Sequence, residues 1–249
     1  MKILGVEVDR GNGRGRLGQL LARDAELRDV FAGDPARAAR LHQLQRWQSA
    51  RLMKSHADLR AKPRYRQAVE FFFDELYGAG DPRGRDRDLA RVQRVMERLL
   101  PRPALEAMCL AIELEVLAQD LDADVVRSLP PGPITVASYA QGYRGAGRAA
   151  DRERQIELLG VIGGYLDGVV RKPFVHGLVR LARGPAHAAG FGVLQEFLER
   201  GLNAFLAMDG ADEFLAIIRD RETLYMQRLF AGRDDPYDFG RDEPVANGA

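Results

Sequence analysis

Phe71-Phe72-Phe73-Asp74-Glu75-Leu76-Tyr77-Gly78 sets four aromatic residues within seven positions of a chain of 249. On a helix, Val69, Phe72, Phe73, Leu76 and Tyr77 share one face, while Phe71 points nearly the opposite way. A surface helix needs only one apolar stripe. This segment therefore either packs on two sides or offers Phe71 to a partner, which makes Phe71 the expected interface residue.

The helical reading extends outward from this run. Asp34-Pro35 is an N-cap followed by proline at the first helical position, and predicts a helix to about Arg60. Pro63 opens the aromatic helix and Gly78 suits its C-terminal cap. Gly78 to Gly84 reads as a loop, and Arg85 to Leu100 as a helix stopped by Pro101. Further helices are expected from Pro103 to about Leu121, Thr135 to about Arg144, Asp151 to about Val170, Pro173 to Gly184-Pro185, a Gly190–Gly192 kink to Met208, and Ala211 to Phe230. Only Ile3 to Val8 has strand character, and one strand cannot build a sheet. The expected fold is all-α, an irregular bundle of about nine helices with mostly antiparallel neighbours. Residues 1–30 are expected to be a partly flexible segment and 31–231 a single helical domain, with a break near 128–134. The polar residues 232–249 read as a disordered tail.

The Phe71–Gly78 run, followed by Asp81-Pro82 and Arg85-Asp86-Arg87-Asp88-Leu89, resembles the bacterial proteins named for an FFLEELY motif. Asp151-Arg152-Glu153-Arg154-Gln155 and Phe197-Leu198-Glu199-Arg200-Gly201 fit the same family, so the likeness spans about residues 30–232. Phe73 and Asp74 depart mildly from the motif. The resemblance implies one bacterial helical domain and carries no catalytic residue or cofactor across.

Composition narrows the function classes. The formal net charge of +1 provides no global field toward nucleic acid or membrane. The only cysteine, Cys109, rules out an intramolecular disulfide, and its apolar neighbours predict a buried, inert thiol. No stretch approaches the roughly 20 apolar residues of a membrane span. The first nine residues lack a signal-peptide core, because Glu7 and Asp9 interrupt it. A cytoplasmic location is expected.

Local charge is more telling. Pro35 to Val69 holds nine Lys or Arg against one acid, Asp58. Arg37, Arg40, Arg51 and Lys54 are the expected anion-binding residues, and Trp47 is placed to stack on a base. Nucleic acid is accordingly one candidate partner. Internal pairing of these arginines with the chain's 36 acids is the competing outcome. A second basic block, Arg171, Lys172, Arg180 and Arg183, lies in a segment without acids from Gly168 to Gln195.

Other motifs carry weaker chemistry. Gly13-Arg14-Gly15-Arg16-Leu17-Gly18 matches the phosphate-binding G-x-G-x-x-G, but no βα units follow, so a flexible Arg-bearing segment is expected. No Glu-x-x-His or His-Glu-x-x-His occurs, and no metal site is assigned. An all-carboxylate magnesium site would need Asp86 or Asp88 beside the acidic run Glu113–Asp124, which reads better as a salt-bridging helix end.

Gly160, Gly164 and Gly168 form a bare stripe on one helix. Each costs about 1 kcal/mol against alanine, so compensation is expected. Close approach of another helix is one form. A planar ligand such as a haem, with His176 as a ligand to iron, is the other. In that version Tyr77, Tyr139, Tyr143 and Arg154 line the site. The leading expectation is a non-enzymatic protein acting through protein contacts or as a homodimer, by way of Phe71 and the apolar region from Phe191 to Phe205. Ligand binding, with or without catalysis, and nucleic-acid binding are the alternatives.

Overall fold

The computed structural model describes residues 2–3, 6–7, 13–76 and 102–239. These residues are almost entirely helical. The ten helices among them are α1 Gly13–Ala32, α2 Pro35–Ser55, α3 Ala57–Ala61, α4 Pro63–Leu76, α5 Arg102–Ser128, α6 Val136–Ala146, α7 Ala149–Val170, α8 Pro173–Ala188, α9 Gly192–Met208 and α10 Asp212–Phe230. The fold is all-α. The strand-like N-terminal run turns back on itself, so that Lys2–Ile3 pairs antiparallel with Val6–Glu7. Gly13–Gly18 belongs to α1, not to a flexible segment. It buries Leu17 beside Cys109 and Ile112, and pairs Arg16 with Glu113 of α5. The Gly78 cap, the 78–84 loop, the 85–100 helix and a magnesium site at Asp86 or Asp88 lie outside the described residues.

Local signals place most helix ends. Asp34 Oδ1 accepts the Arg37 amide at 3.0 Å, a cap that stabilises α2 by about 1 kcal/mol. Thr135 and Ser138 satisfy each other's backbone amides at the start of α6. The basic helix breaks at His56 and does not continue to Arg60. His56 leaves helical geometry (φ −121°, ψ 21°) while its Nδ1 bonds to the Leu52 carbonyl at 3.0 Å. α5 runs past Leu121 to Ser128 because its acids find partners. Glu113 meets Arg154, and Asp120 and Asp124 both meet Arg148 at 2.8 Å.

Pro185 does not end α8. It lies in the last helical turn, where a missing amide donor costs one hydrogen bond only. The helix stops at Gly190, whose φ of +79° lets the Phe191 amide reach back to the Ala186 carbonyl at 2.8 Å.

α5 lies at the centre, against α1, α2, α6 and α7. α9 packs on α4, α7 and α8, and α10 on α6 and α7. Two apolar cores result. The first gathers Leu44, Trp47, Val125, Tyr139, Tyr143, Met226 and Leu229. The second gathers Tyr65, Val69, Phe71, Val170, Phe205, Met208 and Phe214. Phe71 is 8 % exposed and packs on Phe197 at 5.5 Å between ring centroids, with Gly201 directly beneath it. The aromatic helix therefore packs on two sides within one chain, and Phe71 is a core residue, not an interface residue.

The tail expectation also needs correction. Residues 233–239 fold back over the first core, and Tyr237 is 3 % exposed. Three contacts hold it there: Tyr225 at 5.1 Å, Arg228 to Asp238 at 2.7 Å, and Lys54 above the Phe239 ring at 4.5 Å. Two aromatic side chains in seven residues bury enough apolar surface to offset their ordering.

Candidate functional site

Between the two cores lies a cavity of about 210 Å³. Its apolar lining comes from Val69, Phe72, Leu114, Ala118, Ile156, Leu159, Phe214, Leu215 and Ile218. Its polar lining comes from Gln48 and Arg51 of α2, His56 just after that helix, Glu115 (held by Gln119 at 3.1 Å) and Asp122 of α5, Arg152 and Gln155 of α7, and Glu222 of α10. Tyr139, Tyr143 and Tyr237 complete it. A liquid water occupies roughly 30 Å³, so this space exceeds what one bridging water would fill.

The polar groups are unusually dry. Gln48, Arg51, His56, Asp122 and Arg152 are each at most 8 % exposed. Some are paired. Arg51 Nη1 donates to both oxygens of Glu222 at 2.7 Å, and Gln48 Nε2 donates to Asp122 Oδ1 at 2.9 Å. Arg152 Nη1 donates to Gln155 Oε1 at 3.1 Å, and its guanidinium lies 4.6 Å from the Tyr143 ring centroid. Others are not. Gln48 Oε1, Arg51 Nε, His56 Nε2, Arg152 Nη2 and Tyr237 Oη are buried without a hydrogen-bond partner. Each such group costs about 1–3 kcal/mol if left dry, so a cluster of five calls for an occupant.

Electrostatics follow from burial. Removal from water pushes the Asp122 carboxyl up to about 6, although the nearby Arg152 charge opposes this. Burial lowers His56, with Glu222 pulling the other way. Because Nδ1 donates to the Leu52 carbonyl, Nε2 of neutral His56 carries a lone pair, 3.6 Å from Glu222 Oε1. Two acceptors that close leave no room between them, so a donor reaches them only from the cavity side.

The predicted site residues separate. Tyr139 and Tyr143 line the cavity, and Arg51 lies in its polar wall. Arg154 points elsewhere, pairing with Glu113 at 3.1 Å and Glu157 at 3.6 Å. Tyr77 lies outside the described residues. Gly160, Gly164 and Gly168 are not in the cavity wall. Among the described residues, nothing comes within 4 Å of a Cβ built at Gly160 or Gly168. The close approach occurs instead at Gly163, against the side chain of Leu215. His176 stands on α8, and the described residues hold no group of three or more His, Cys, Asp or Glu suited to a metal ion.

Arg40, Arg51 and Lys54 of the expected anion-binding set are likewise engaged inside the chain. Arg40 donates to the carbonyls of Gly132 at 2.7 Å and Pro130 at 2.9 Å. Arg51 is buried against Glu222, and Lys54 covers Phe239. The Arg37 amide serves the Asp34 cap. Trp47 stacks on Tyr139 at 4.2 Å and is 4 % exposed, so it offers no face to a base.

Gln48, His56, Asp122, Arg152 and Glu222 were missed by sequence reasoning, yet a signal exists. Leu44, Gln48, Arg51 and Ser55 fall on one face of α2, with spacings of four, three and four. Ile218, Glu222 and Met226 do the same on α10, and Arg152, Ile156 and Leu159 on α7. Polar residues in register with core residues mark a buried polar site.

A family model described as "Domain of unknown function (DUF8198)" matches residues 28–236, a span that takes in every residue of the cavity wall except Tyr237. No curated protein and no solved structure matches the chain.

Proposed function

The chain belongs to the DUF8198 domain family, and we propose that it binds a small organic molecule in the cavity between its two cores. The observation that carries this reading is the set of five buried, unpartnered polar atoms around a mainly apolar space. Such a wall suits a ligand with an apolar body and a few polar groups. His56, with one nitrogen fixed and the other open beside Glu222, gives the site a base should the bound molecule be turned over. One buried cysteine fits a reducing cytoplasm, and the Phe71–Gly78 run supports placement among the bacterial FFLEELY-motif proteins.

The test is mass spectrometry of the purified protein under native and denaturing conditions, with an absorbance spectrum of the same sample. A bound mass released on denaturation is the expected result. A clean apo mass, together with no thermal stabilisation by a small-molecule library, overturns the reading.

A second reading rests on α8. Phe174, Leu178 and Leu181 recur at spacings of four and three, and are 68, 60 and 77 % exposed. The segment from Gly168 to Gln195 has no acid. This basic, apolar face suits a protein partner with an acidic rim. Reversal of the charges at Lys172 and Arg180 is expected to abolish such a complex. Association unchanged by both reversals, or dimerisation of the chain with itself through this face, removes that partner. Among the described residues, no helix is long and apolar enough to cross a membrane.

A further inference from the structure

We infer that the cavity ligand is a small monocarboxylic acid whose carboxylate is held by Arg152; this rests on the cavity-binding reading above.

Arg152 is 6 % exposed, and its Nη2 has no partner. Among the described residues, the one hydrogen bond of its side chain goes to a neutral amide oxygen, on Gln155. Among the described residues no carboxylate lies within 4 Å of its guanidinium, whereas the other buried arginine of the wall, Arg51, has Glu222 at 2.7 Å. A buried cation without a counter-ion in contact is costly, and an anion that enters beside it removes that cost. Stacking on Tyr143 fixes the guanidinium plane but supplies no charge.

Asp122 is the obvious internal rival. It senses the Arg152 charge, but Gln48 holds its Oδ1 at 2.9 Å and it makes no ion pair with Arg152. Burial already raises its carboxyl, which eases its protonation when a second anion arrives.

Charge matching selects the class of anion. One guanidinium is uncommitted, which matches the single charge of a carboxylate. A dianionic phosphate group would need further cations, and Arg51 is already engaged by Glu222. The apolar lining of Ile156, Leu159, Phe214, Leu215 and Ile218 suits an aromatic or branched aliphatic body. A hydroxyl or amino group on that body would donate to His56 Nε2 or to Glu222 from the cavity side.

The experiment compares acids with their primary amides on the full chain: benzoate with benzamide, phenylacetate with phenylacetamide, 4-methylpentanoate with 4-methylpentanamide. Affinity is read by calorimetry and thermal shift, and the mass released from the native protein is identified alongside. At least one acid is expected to bind about tenfold or more tightly than its amide, a preference lost in Arg152→Gln and partly kept in Arg152→Lys. If Arg152→Gln fails to fold, the acid-to-amide ratio of the wild type still decides. Equal binding of acid and amide overturns the assignment to an acid and leaves the cavity reading standing, as does a released molecule without an acidic group. No binding by any of the six compounds, together with a clean apo mass, overturns both.

Discussion

Arg51 and Glu222 stand 171 positions apart in the chain, yet one guanidinium nitrogen donates to both carboxylate oxygens at 2.7 Å. The pair ties α2 to α10 at the polar wall of the cavity. Removal of one member leaves the other charged and dry. Arg51→Met and Glu222→Gln are each expected to cost about 3–5 kcal/mol, and the double variant clearly less than their sum. Urea unfolding of the four proteins completes the cycle. Strict additivity would show that the pair is not coupled.

Asp122 gives the fold a pH signature of opposite sign to most carboxylates. Its pKa is raised from 3.8 to about 6, so the folded protein holds this proton more tightly than the unfolded chain. Its contribution is complete below 3.8, falls as pH rises, and is gone above about 6. Asp58 and Glu199 behave conversely: Arg221 and Arg183 hold their carboxyls low, and that stabilisation is lost as pH falls. The difference between wild type and Asp122→Asn isolates the site. The variant should gain on the wild type by about 2 kcal/mol as pH rises from 4 to 7. Parallel stability curves would refute the shift.

Phe71→Ala is expected to cost about 3–5 kcal/mol, since the ring is buried between Phe72, Phe197 and Gly201. Its oligomeric state, read by sedimentation, should match the wild type. Loss of association without loss of stability would return Phe71 to an interface role.

The glycines of α7 should respond in two ways. Gly160→Ala and Gly168→Ala meet open space and should be neutral or stabilise by up to about 1 kcal/mol each. Gly163→Ala drives a methyl into Leu215 and should destabilise by about 1–3 kcal/mol. Thermal unfolding of the three single variants separates the two faces.

Tyr237→Ala should destabilise the protein by about 3–5 kcal/mol and open the cavity. A chain ended after Gly232 should lose at least as much. Limited proteolysis offers a second check: cleavage near residue 235 that is as fast as in an unfolded peptide would show that the segment is not docked.

Helix starts were legible because capping is local: Asp34-Pro35, Thr135 and Pro173 announce themselves within three residues. The His56 break was hidden, because nothing in its neighbourhood departs from helical composition. The docking of Tyr237 was hidden for another reason. Its contacts with Trp47 and Arg51 span most of the chain, and a short polar segment carries no periodicity. The cavity was the least legible part. Its lining draws on six helices, and each polar residue taken alone resembles a solvated group. Only their register with Leu44, Ile218 and Ile156 distinguishes them. The paired aromatics of α4 pointed to the second core correctly and to a partner wrongly, because the sequence does not say that α9 covers the far side.

The fold-back of Tyr237 has a consequence for biosynthesis. The chamber takes its first wall residues from α2 and its last from position 237, so a nascent chain carries an unfinished chamber until nearly all the described sequence has left the ribosome. Prematurely terminated products keep most of the helices and lack the closing residue. If the chamber binds as proposed, capture requires a chain that extends through Tyr237, and a bound molecule adds to the stability of such chains.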